Sequence, residues 1–67
     1  MDRVFSTERE ATECAATGTP GIRRWVWYSH WTDDFRVYGS EPALRGRDRL
    51  IGVWLDGRSL PIAAEGR

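Results

Sequence analysis

The residues able to do chemistry are few and far apart. Cys14 is the one cysteine and His30 the one histidine in a chain of 67 residues. One thiol closes no internal disulfide, and one thiol with one imidazole falls short of the four ligands of a closed zinc site. The acids Asp33 and Asp34 sit together in a turn-like "TDD". No nucleophile, base and orienting group fall together, and no Gly-rich phosphate loop occurs. The chain therefore reads as non-enzymatic, with no cofactor, metal or small-molecule substrate. What it holds in quantity is arginine and tryptophan: ten arginines, no lysine, and four tryptophans. The stretch "TPGIRRWVWYSHW", Thr19 to Trp31, gathers three of those tryptophans behind Arg23 and Arg24, and Arg45, Arg47 and Arg49 form a second basic cluster. By themselves such arginines are most often a solvated face; contact with nucleic acid is the other use, since arginine is the usual bidentate partner of guanine and a ready phosphate ligand.

The formal charge is zero, which argues against a generic, sequence-blind nucleic-acid binder. Its layout is uneven. Residues 1–20 carry four acids against two arginines, and the basic excess lies beyond Pro20. No apolar run approaches a membrane span, and "MDRVFSTERE" has acids where a signal peptide needs an apolar stretch, so a soluble cytoplasmic protein is expected. A single domain of this size buries only about 60% of the surface of its unfolded chain, which leaves its core thin.

The elements that would position these side chains can be read from spacing. Thr7 and Glu10 have the capping-box interval, Ala11, Cys14 and Ala15 form a small-residue stripe, and Gly18 is a stop, which predicts helix 1 over about 7–16. In "TPGIRRWVWYSHW" β propensity favours a strand, yet alternate sorting leaves an arginine on each face, whereas helical sorting clusters Ile22, Trp25, Val26 and Ser29. Thr19 as a cap and Pro20 at the first helical position then predict a helix over about 20–30. "FRVYGSEPALR" reads as a small hairpin over about 35–45. Asp48 as N-cap, Leu50, Ile51, Trp54 and Leu55 at helical spacing and Gly57 as a stop predict a closing helix over about 48–56. Gly52 weakens that helix, and a hairpin turning on Asp56-Gly57 is the other reading. Residues 59–67 read as a frayed tail.

The order helix, turn, helix, hairpin, helix is that of an α+β winged helix-turn-helix. Here "REATECAATGTPGIRRWV" and "GRDRLIGVWLDGR" resemble the phage excisionase and MerR-like winged-helix family, over about residues 6–58. The resemblance implies a recombination directionality factor. Such a protein binds and bends double-stranded attachment-site DNA cooperatively, self-associates on it and recruits an integrase; a small transcriptional regulator shares the fold. It places Arg24 on a base edge and Arg23 on a phosphate. Thr17, Thr19 and Pro20 would lie at the helix entry against the backbone, and Arg45 and Arg47 beside the wing. Trp25 and Trp54 are expected in the core. Trp27 is expected at the DNA and, with Trp31, at a protein interface. A rival of another class keeps the β propensity: a β-rich inhibitor or adaptor with strands over Ile22–Thr32, Phe35–Tyr38 and Leu50–Ile62 and tryptophans as protein-binding anchors.

Overall fold

The chain begins its regular structure with a short strand, β1 (Arg3–Phe5), and then a helix, α1 (Glu8–Ala16), in a computed structural model that describes residues 2–61. Thr7 is the N-cap of α1. Its Oγ1 accepts from the Glu10 N–H at 3.2 Å, the contact the capping-box spacing implies. The helix is followed by β2 (Arg24–Ser29), β3 (Asp34–Tyr38), β4 (Arg49–Leu55) and β5 (Arg58–Leu60). All pairings are antiparallel, and the sheet order is β1-β3-β2-β4-β5.

This architecture overturns the winged helix-turn-helix. The segment expected to be a recognition helix, about 20–30, is a turn followed by β2, and the closing helix expected over about 48–56 is β4. The wing contributes only β3, and the tail contributes β5; the rest of that tail, 62–67, lies outside the described residues. Three local causes account for the change. First, Thr19-Pro20 does not start a helix: the Ile22 N–H donates to the Thr19 carbonyl at 3.3 Å and Gly21 has φ 81°, a turn with Pro second and Gly third. Second, the arginine pair that spoiled the alternating pattern falls at the strand's end. Arg23 precedes β2 and Arg24 is its first residue, so neither interrupts the stretch that must be sorted. Third, Asp56 and Gly57 have φ of 53° and 80°, the left-handed pair of a two-residue hairpin, with Leu55 opposite Arg58. The two turns are tied together, since the Gly21 N–H donates to Asp56 Oδ1 at 2.6 Å.

Register sorts the side chains cleanly. Val26 lies opposite Val37 and Gly52, Tyr28 opposite Phe35, and Phe5 opposite Phe35, which places these residues on the face covered by α1. There Ala11, Ala15, Val26 and Val37 are buried, with Phe5, Cys14, Phe35, Ile51 and Trp54 packed around them. Small helix residues let α1 lie close to the sheet. A bulge between Val26 and Trp27 makes Ile51 the extra residue of β4, so that it packs toward the helix while Leu50 stays opposite Trp27 on the other face. Among the described residues, only Val26 and Val37 are large side chains shut off completely, so the core is as thin as the length implied. No helix of the described residues is long and apolar enough to cross a membrane.

Candidate protein-docking face

The sheet has α1 on one side only. On the other, register brings together Trp25, Trp27 and Ser29 of β2, Asp34, Arg36 and Tyr38 of β3, Leu50 and Val53 of β4, and Leu60 of β5. The connection between β3 and β4 partly covers this face. Both strands flank β2 and run the same way, so residues 39–48 must carry the chain across it. Trp27 is left only 7% exposed. Its ring meets Tyr38 edge-on at 5.2 Å, and the Arg36 guanidinium lies 5.9 Å from its centroid. Its indole Nε1 is buried without an acceptor.

Between the connection and the β4–β5 hairpin the face stays open. A groove of about 430 Å³ runs there, lined by Trp25, Leu50, Val53, Leu60 and Pro61, with Arg23 and Glu41 beside them. Trp25, Val53 and Leu60 are consecutive cross-strand neighbours, so the apolar floor belongs to three adjacent strands. Among the described residues, no strand lies beside the outer edge of β5, next to this floor.

A cluster at the end of β2 fixes the connection. Asp48 Oδ1 accepts from the His30 backbone N–H at 2.9 Å and from the His30 ring Nδ1, also at 2.9 Å, and Asp48 Oδ2 accepts from the Arg45 N–H at 3.0 Å. The Asp48 side chain is only 4% exposed. These donors, the His30 backbone N–H first and then that of Arg45, hold its carboxyl below the ordinary aspartate range. A β-carbon on Gly46 would come within 2.7 Å of the His30 ring, and Trp31 stacks beside that ring at 4.8 Å. Asp48 thus caps no helix; it pins the crossover to the sheet. A second pair, Asp34 with Arg36 at 2.9 Å, fixes the start of β3, and the arginine holds the Asp34 carboxyl low.

The expected DNA contacts do not share one surface. Thr17, Thr19 and Arg24 line a hollow on the helix-covered side together with Arg3, which the sequence did not single out. Pro20 lies in the turn, Arg23 borders the groove of the opposite face, and Arg45 and Arg47 are exposed on the crossover. Of the two expected interface tryptophans, Trp27 is buried and Trp31 is 75% exposed. Trp25 and Trp54, expected in the core, are both half-buried; Trp54 packs against the core cluster and Trp25 lines the groove. Local spacing carried no sign of the groove, because its floor is assembled by strand pairing between residues 25, 53 and 60. Among the described residues, no three His, Cys, Asp or Glu side chains converge as a metal site would require.

A five-stranded antiparallel sheet with one face under a helix and a groove on the other is the class that fold and site define. Comparison of the chain with family models, curated proteins and solved structures finds no match in any of the three.

Proposed function

We propose that the protein is a small adaptor or inhibitor that binds an extended segment of a partner protein along β5, with the partner's alternate side chains entering the open-face groove. The carrying observation is the apolar floor of Trp25, Leu50, Val53 and Leu60 beside β5, the edge strand of the sheet among the described residues. Strand addition uses both features: main-chain hydrogen bonds supply affinity, and a pocket for every second side chain supplies selectivity. An extended occupant with an aliphatic or aromatic residue flanked by charges fits best, because Arg23 and Glu41 border the floor and neither pairs with a charged side chain among the described residues. Trp25 is the anchor expected to dominate the contact, being a half-buried aromatic in the floor.

DNA recognition, the function the family resemblance implies, required a helix over about 20–30, and β2 occupies that segment. The test is selection from a displayed library of linear peptides against the wild type, with Leu60→Glu as the counter-target. The expected result is enrichment of a short motif with one large apolar residue, whose affinity falls at least tenfold with Leu60→Glu and with Trp25→Ala. Equal enrichment on Leu60→Glu, or a specific shift of duplex DNA where no peptide binds, would overturn the reading.

A further inference from the structure

The helix-covered side of the sheet carries a separate hollow of about 340 Å³, lined by Arg3, Cys14, Thr17, Gly18, Thr19 and Arg24. Two arginines line it, and no carboxylate does. Neither arginine forms an ion pair among the described residues, and Arg24 Nε is buried without any acceptor. Two unneutralised like charges at one hollow repel each other, and a buried charged donor without a partner is costly. An anion in the hollow relieves the first of these penalties by neutralising the like charges.

We propose that this hollow binds a phosphate-type oxyanion, with a phosphomonoester dianion as the ligand class. Arg24 and Arg3 supply the charge-assisted donors, and the exposed Thr19 closes the site. Thr17 serves as wall rather than donor, since its hydroxyl proton already goes to the Glu13 carbonyl at 2.9 Å. Gly18 is the residue that keeps the site open. A β-carbon there would lie 3.0 Å from Arg24 Nε and 3.3 Å from Cζ, so any larger side chain presses on the guanidinium. Because Nε is closed to solvent, the outer edge of the guanidinium is the part offered to the ligand. The C-terminal end of α1 also points here, with Thr17 as its C-cap, and contributes about half a negative charge. Against two full positive charges that end does not reverse the sign of the site. A dianion matches the two arginines in charge, which a monoanionic carboxylate does not.

This site lies on the opposite side of the sheet from the docking groove and stands independently of it. The test is titration of the full chain with inorganic phosphate at pH 7.5 and low ionic strength, followed by backbone amide and arginine Nε NMR signals. O-phosphoserine in a parallel titration distinguishes a free from an attached phosphoryl group, and acetate serves as the monoanion control. The expected result is saturable shifts at Gly18, Thr19 and Arg24 Nε, at least tenfold weaker binding in Arg3→Gln and Gly18→Ala, and no change in Arg58→Gln. Arg3 is exposed, so its substitution leaves the fold in place. Failure to saturate, an equal response to acetate, or equal weakening by Arg58→Gln would overturn the proposal.

Discussion

Replacing Gly52 by alanine is expected to destabilise the protein, and the sign of the effect is the informative part. Gly52 is buried in β4 opposite Val26, and a β-carbon built on it would lie 2.6 Å from Trp54 Cζ3 and 2.8 Å from Cη2. The indole lies over the glycine, and alanine must push it away. Removing a glycine from a strand interior gains about 0.5–1 kcal/mol. Displacing a packed aromatic costs about 1–3 kcal/mol in strain and lost contact. At the centre of the two ranges the cost therefore wins by about 1.25 kcal/mol. In a domain of this size, 1 kcal/mol moves Tm by about 4–8 °C, so a fall of about 5–10 °C is expected in thermal unfolding followed by circular dichroism. Had residues 48–56 been a helix, the same substitution would raise stability by about 0.8–1 kcal/mol. A higher Tm for Gly52→Ala, with the Trp54 indole signals unmoved, would refute both the packing and the strand.

Other substitutions test the remaining parts of the framework. Thr7→Ala removes the acceptor of the Glu10 N–H and should cost about 0.5–2 kcal/mol in denaturant unfolding, with the loss confined to α1 in amide exchange. Val37→Ala empties a fully buried position; at about 0.8 kcal/mol per carbon plus a cavity, roughly 2–3 kcal/mol should be lost in denaturant unfolding. The carboxyls of Asp34 and Asp48 are held low in the folded protein, so their contribution is present above the ordinary aspartate range and is lost as pH falls below about 4. Denaturant midpoints measured against pH should show this loss, and Asp48→Asn should flatten it. Tyr28 runs the other way: its hydroxyl donates to Asp33 at 2.6 Å, which raises its pKa and makes that part of the stability fade above about pH 10.

How far the sequence could be read depended on the distance over which each signal acts. Helix α1 was legible because Thr7, Glu10 and Gly18 are local punctuation, and it forms where they place it. The hairpin on Asp56-Gly57 was legible as one of two readings, and the left-handed backbone of both residues decided it. Segment 19–31 misled because helical sorting was applied across the Pro20-Gly21 turn. Counting Arg23 and Arg24 as interior spoiled an alternation that is clean from Trp25 onward, with Val26 toward the helix and Trp25 and Trp27 away from it. The alternative reading of this segment as strand, with strands over 35–38 and 50–62, anticipated most of the sheet. Asp48 looked like a helix cap because caps and loop clamps both ask a carboxylate to accept backbone N–H groups; only the contact with His30, eighteen residues away, tells them apart. The groove and the arginine hollow had no local signature, since each is made by strands paired across long separations. Arg3 joins Arg24 only because β1 and β2 both pair with β3.

On the proposed reading, the open face of the sheet, rather than a helix, meets the partner. That reading is tested most directly by NMR on the wild type saturated with a peptide selected for binding. Expected are shifts concentrated on the Trp25 indole and the methyl groups of Leu50, Val53 and Leu60, with cross-strand contacts from the peptide backbone to Arg58–Leu60. Shifts spread over α1, or on the Arg45–Arg47 segment with the groove untouched, would contradict it.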